Sequence, residues 1–218
     1  MRKLTLPDWL RKRKTRSIPR VDNIGWYPTF REEEGDIILG YFSHIFLGYT
    51  SRPDGTTFWM GQLRIYEDGH ISLNEEDFHI DQLPEFEERL RDEHTLFRPV
   101  PEDGTRVVHL ARMVYRVSET DARITLDDVM KDICDVWTQI RGGSSANDRC
   151  IQSISDYLAA PGPDRLARLR EAYEAVPAYM RVFIGSMDAK DRPLRALLGA
   201  NSDAERAEAE AILREEWT

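Results

Sequence analysis

A chain of 218 residues, 41% hydrophobic and 10% aromatic, is long enough to bury one large core or two small ones, and that composition argues against disorder throughout. No stretch reaches the roughly 18 uninterrupted apolar residues of a spanning helix; the most apolar segment, Ile37 to Tyr49, is interrupted by Ser43 and His44. The net charge of −9 conceals a polarity, because residues 1 to 20 carry eight Lys or Arg against one Asp, a net +7 that leaves −16 on the remainder.

In chain order the basic arm, residues 1 to 20, comes first. Leu4 to Arg16 gathers Trp9 and Leu10 with Arg11, Lys12, Arg13, Lys14 and Arg16 behind Pro7-Asp8. These are the charges of a signal peptide without the apolar stretch that should follow, which argues against export by that route, and the segment reads as a mobile or partner-ordered arm. Ile24 to Phe30 and Ile37 to Tyr49 are rich in Ile, Tyr and Phe and read as strands, with Gly40 and Gly48 marking bends or bulges. Thr57 to Leu73 reads as a hairpin over Glu67-Asp68-Gly69. A two-residue loop would set Ile65 opposite Ser72, whereas a three-residue loop with Gly69 left-handed sets Ile65 opposite Ile71 and Leu63 opposite Leu73, and burial of one face selects the latter.

Asp81 to His94 follows as a helix with Leu83, Phe86 and Leu90 in phase, laid on the sheet. Phe97 to Val117 reads as further strand, with Glu102-Asp103-Gly104 as a turn and Val107 to Val117 as one long extended run. From Thr125 the period becomes helical. Ile133, Val136, Trp137 and Ile140 precede Gly142-Gly143; Ile151, Ile154, Tyr157 and Leu158 precede Pro161-Gly162-Pro163; Leu166, Leu169 and Tyr173 make a third helix. Asp191, two before Pro193, is placed to cap a short helix ending at Gly199, and Ser202 or Asp203 caps the last. The expected fold is α+β: an antiparallel sheet with one covering helix over residues 21–120 and a helical unit over 121–218, softly divided at 119–123 or continuous as one domain.

Candidate chemistry is sparse. Gly185 to Pro193 holds Asp188, Lys190 and Asp191, two carboxylates around a lysine that would suit a divalent cation and a phosphate; the simpler reading gives Asp188 a turn and Asp191 a helix cap. Arg141 to Ser145 has glycines before a helix start, yet lacks a P-loop ending and follows a helix, so it reads as a linker. The five histidines show no metal-ligand spacing and read as surface or strand residues rather than bases; His44 stands out because burial in the apolar segment would tune its pKa. Cys134 and Cys150 share no CxxC or Cys/His cluster and read as two buried thiols in a reducing cytoplasm.

The segment Ala172-Tyr173-Glu174-Ala175-Val176-Pro177 through Met187-Asp188-Ala189-Lys190-Asp191-Arg192-Pro193-Leu194-Arg195 resembles a pattern of bacterial domains of unknown function. The Ile65-Tyr66-Glu67-Asp68-Gly69 hairpin with its following helix, around residues 55 to 110, resembles a companion domain placed upstream. The resemblance implies no activity, cofactor or catalytic residue.

With no catalytic constellation and a cationic arm on an acidic body, the leading expectation is a cytoplasmic protein-interaction module, of antitoxin, immunity or complex-assembly type, needing no cofactor or metal and no membrane. Its binding residues would be Trp9, Arg11, Lys12, Arg13, Lys14 and Arg16, which also suit nucleic-acid phosphates and a stacked base. The alternative is a metal-dependent enzyme acting on a nucleotide or nucleic acid through Asp188, Lys190 and Asp191, with His44 as a further candidate.

Overall fold

The computed structural model describes residues 19–52, 55–73, 76–91, 96–97, 106–110, 113–117, 125–185 and 190–217. The arm residues 1–18 and the expected boundary at 119–123 lie outside the described residues.

The first half is an antiparallel sheet. Strands β1 (Tyr27–Glu33), β2 (Asp36–Arg52), β3 (Gly55–Tyr66), β4 (His70–Leu73) and β5 (Glu76–His79) lie side by side in chain order. A short β6 (Leu96–Phe97) pairs with the far end of β2, at Leu47 and Gly48. The β3–β4 hairpin has the three-residue loop: Ile65 pairs with Ile71 and Leu63 with Leu73. Gly69 takes φ of 90°, which favours glycine, and a Cβ there would meet the His79 ring at 2.8 Å, so that ring would also have to shift.

Two stretches differ from the sequence expectation. Glu76–His79 is a strand although its composition is polar; the free edge of β4 recruits it, pairing Ile71 with Phe78. Val107 to Val117 is not one run but a hairpin, β7 (Arg106–Leu110) and β8 (Met113–Val117), with Leu110 paired to Met113. No Gly, Pro or Asn marks the reversal, so composition alone cannot signal it.

Two cores result. The first lies between the inner face of the sheet and two helices, α1 (Leu83–Arg91) and α2 (Leu126–Ile140), and contains Leu63, Ile65, Ile71, Phe86, Leu90, Ile133 and Val136. The sheet therefore carries two helices rather than one, because Val129, Ile133, Val136 and Ile140 of α2 present a continuous apolar stripe to it. The second core belongs to α3 (Ala146–Ala159), α4 (Pro163–Glu174), a 3-10 turn (Ala178–Phe183), α5 (Arg192–Gly199) and α6 (Asp203–Glu216), around Cys150, Ile154, Leu169, Val176, Ile184 and Leu213. Each fully buried Leu or Ile contributes roughly 2 kcal/mol. The cores divide between Ile140 and Ala146.

Local signals agree with these bounds: Thr125 and Asp128 form a capping box for α2, Ser145 caps α3, Pro163 opens α4 and Ser202 caps α6. Cys150 is fully buried and its thiol is pushed up to about 12 by that burial, Arg181 opposing weakly. Cys134, expected to be buried, is exposed, in an open groove that Leu83, Met130 and Ala175 also line. Among the described residues no helix is long and apolar enough to cross a membrane.

Candidate functional site

Beside its apolar stripe, α2 carries a second face that is polar and nevertheless shut from solvent. Asp128, Asp132, Asp135 and Gln139 recur at spacings of four, three and four and are all at most 5% exposed. Helical geometry stacks them in one row, and the row lies where the helical half meets the sheet half.

Buried carboxylates need donors, and both sides supply them. Asp128 accepts the backbone N–H of Ala178 at 2.6 Å and the Thr125 hydroxyl at 2.7 Å. Asp132 accepts Asn23 Nδ2 at 2.6 Å and the Tyr179 hydroxyl, and the Trp26 indole also hydrogen-bonds it. Asp135 accepts the Ala146 N–H at 2.6 Å, Gln139 Nε2 at 3.0 Å and Arg149 Nη2 at 3.2 Å. Gln139 in turn donates to Asn23 Oδ1 at 2.6 Å and accepts the Asp22 N–H at 2.9 Å. The row thus clamps the chain before β1, the start of α3 and the 3-10 turn to one helix.

The three carboxyls titrate differently. Burial raises Asp128, but donors from the Thr125 and Ala178 backbone and the Thr125 hydroxyl, with Lys131, outweigh it and hold it below the ordinary carboxylate value. Burial pushes Asp132 up to about 6, its donors offsetting only part of the cost and the Asp135 charge adding to it. Asp135 is also raised by burial, with Arg149 and its hydrogen bonds opposing. The Tyr179 phenol is driven well above its usual value by burial and by the Asp132 charge, so it keeps its proton and donates. Replacing Tyr179 by phenylalanine removes one donor from a buried carboxylate; we expect a loss of about 2 kcal/mol in urea unfolding, and an Asp132 carboxyl displaced further upward in carboxyl-carbon NMR titration.

Asp132 also lines a cavity of about 330 Å³ together with Trp26, Tyr27, His44, Val129 and Tyr179. The cavity sits at a gap in the sheet edge: β1 pairs with β2 no further than Phe42, and β6 takes up again at Leu47. Ser43, His44 and Ile45 line it between those points.

The structure separates the residues singled out from the sequence. His44 reaches this cavity as an exposed strand residue, with its ring edge-on to Phe42 at 5.5 Å; strand alternation puts Ile45, not His44, in the core. Lys190 and Asp191 lie in the helical half, just before α5. Lys190 is exposed and left-handed, with φ of 54°. Asp191 occupies the cap position of α5 but makes no side-chain cap, because its carboxylate instead accepts the Tyr173 hydroxyl at 2.7 Å and pairs with Arg195 at 3.4 Å. Asp188 and the arm residues Trp9, Arg11, Lys12, Arg13, Lys14 and Arg16 lie outside the described residues. Among the described residues no group of three His, Cys, Asp or Glu is arranged to hold a metal ion.

The Asp128-Asp132-Asp135-Gln139 row is absent from the sequence reading, which followed only the apolar positions of α2. Its signal was the repeat itself, polar residues at helical spacing on the flank of an apolar stripe, a pattern that normally marks a solvated face.

Two family models match the chain: one described as Domain of unknown function (DUF7638), over residues 28–144, and one described as Domain of unknown function (DUF7639), over residues 145–217. No curated protein and no solved structure matches it. The two matches abut between α2 and α3, where the cores divide, so the polar row is the junction between them.

Proposed function

We propose that this chain, which belongs to the family described as Domain of unknown function (DUF7638), is a cytoplasmic protein-interaction module of antitoxin, immunity or complex-assembly type, recruiting a protein partner through charged and apolar surface. The observation that supports it is the outer edge of β1. Among the described residues β1 pairs only with β2; Tyr27 and Phe30 on it, and Ile24 in the turn before it, are 55–57% exposed. Isolated exposed apolar residues are ordinary, but two of this size on a strand whose outer edge is unpaired among the described residues, with a third just before it, offer main-chain hydrogen bonds and contact area together. The Glu32-Glu33-Glu34-Gly35-Asp36 turn beside them, on a body of strongly negative charge, favours a basic partner segment.

The reading is tested by purification from the native host at low salt with nuclease treatment, using the wild type, Tyr27→Ser/Phe30→Ser and a form lacking residues 1–20. A nuclease-resistant protein partner that the double substitution weakens by about tenfold or more is expected. Recovery of nucleic acid alone, or binding indifferent to the β1 edge, overturns it. Stabilisation by Mg²⁺ or Mn²⁺ that vanishes in Asp188→Ala/Asp191→Ala would support the metal-dependent enzyme instead.

A further inference from the structure

The cavity at the sheet edge contains a charge that nothing described around it balances. Of the three carboxyls on the row, Asp135 has Arg149 at 3.2 Å and Asp128 feels Lys131. Asp132 is held only by the neutral donors Asn23, Tyr179 and Trp26, and no cation stands within ion-pair distance of it among the described residues. A buried carboxylate satisfied by hydrogen bonds but lacking a counter-charge is costly. Asp132 is also the one of the three that lines the cavity.

The remainder of the wall fits a particular class of cation. Trp26, Tyr27, His44 and Tyr179 make much of it aromatic, and Ile24, Ile45, Leu63 and Val129 make most of the rest apolar. Aromatic rings attract a cation through their quadrupole and give it no hydrogen-bond acceptor. A carboxylate has about four acceptor positions, and three donors already reach Asp132, so it supplies charge more readily than lone pairs. A primary ammonium, with three N–H groups to satisfy, is poorly served there. An ammonium whose hydrogens are replaced by methyl groups loses nothing. A volume of about 330 Å³ holds such a head group with a short stem.

We propose that this cavity binds an N-alkylated ammonium cation, with Asp132 as its counter-charge and Trp26, Tyr27 and Tyr179 as its wall. The cation is either a free small molecule of choline type or the head of a methylated lysine, and both present the same chemistry. This inference does not depend on the partner proposed for the β1 edge.

The test uses the full chain and calorimetric titration near neutral pH with choline and with 3,3-dimethyl-1-butanol, which has nearly the same shape and no charge. Choline is expected to bind saturably and the neutral alcohol about tenfold more weakly or worse; Asp132→Asn is expected to erase that preference. Because Asp132→Asn also alters a buried network, Ile24→Arg serves as a second variant. Ile24 is exposed at the cavity, so the fold should tolerate the change, and the tethered cation should abolish choline binding.

Binding should weaken as pH falls through about 6, where Asp132 takes up a proton. The other titratable groups facing it are Asp128 and Asp135 on α2, with their cations Lys131 and Arg149, Tyr179 on the 3-10 turn and His44 on β2. The fall should persist in His44→Gln. Tighter binding of a trimethyl-lysine peptide than of choline assigns the cation to a modified side chain, and the reverse order assigns it to a free molecule. Absence of saturable choline binding, equal affinity for the neutral alcohol, or a preference that survives Asp132→Asn overturns the proposal.

Discussion

Replacing Asp135 by alanine is expected to destabilise the protein by about 3 kcal/mol, while asparagine costs clearly less. The carboxylate accepts three donors: the Ala146 N–H at 2.6 Å, Gln139 Nε2 at 3.0 Å and Arg149 Nη2 at 3.2 Å. Arg149 is 43% exposed on its side chain, so its ion pair is screened by solvent and contributes the smaller part. Ala146 is 2% exposed, so its N–H, the first of α3, would be left buried and unpaired. Asparagine keeps an oxygen for that N–H and shares the size of aspartate. Burial raises the Asp135 pKa, which shows that holding the charge here is itself costly; the hydrogen bonds outweigh that cost only while all are made. Urea unfolding of the two variants checks the order. Alanine and asparagine costing the same would mean that the Ala146 contact does not matter. Because this residue joins α2 to α3, the alanine variant should also give separate transitions for the two halves in far-UV and near-UV circular dichroism.

Raising the pH from 4 to 7 should destabilise the wild type relative to Asp132→Asn by about 2 kcal/mol. The folded Asp132 carboxyl titrates at about 6, against about 3.9 in an unfolded chain. Between those values the native state holds a proton that the unfolded state has released, so this group's contribution falls as pH rises through the window and is level above it. Asp128 works in the opposite direction: its lowered carboxyl contributes stability above its unfolded pKa that is lost as pH falls. The wild-type profile therefore mixes both signs, and only the difference from Asp132→Asn isolates the one. Urea midpoints for both proteins at a series of pH values measure it. A difference that stays level from 4 to 7 would show that Asp132 is solvated or paired with a cation. The N-alkylated cation proposed for the cavity predicts that saturating choline flattens the same difference, because a bound cation restores the ordinary carboxylate range.

These expectations give the junction a physical role. A helix that belongs to the first core by its apolar stripe holds the second core by its acids. The same row fixes the chain entering β1 through Asn23 and Asp22, so the segment leading from the basic arm to the exposed β1 edge is tied to the junction. Anything that alters Asp132 acts at once on the cavity, on the chain before β1 and on the contact with the 3-10 turn. A partner seated on the β1 edge and a cation in the cavity would share Tyr27, which belongs to both surfaces.

The α+β division, the three-residue β3–β4 loop and the order of helices after Thr125 were legible in the sequence, because each rests on local periodicity or turn chemistry. Ile65 facing Ile71 across a left-handed Gly69 follows from side-chain alternation and one glycine, with no distant contact needed. What only the tertiary structure decided is where polar residues lie. Asp132 and Asp135 read as an ordinary solvated helix face until Asn23, Tyr179 and Ala146, 109, 47 and 11 residues away, are folded against them. Likewise His44 could be placed in an apolar strand but not on its exposed side, and Asp191 before a proline but not under the Tyr173 hydroxyl. Apolar pattern records which face a residue must hide, whereas the burial of a charge depends on donors from remote segments, and that information is absent from any local window.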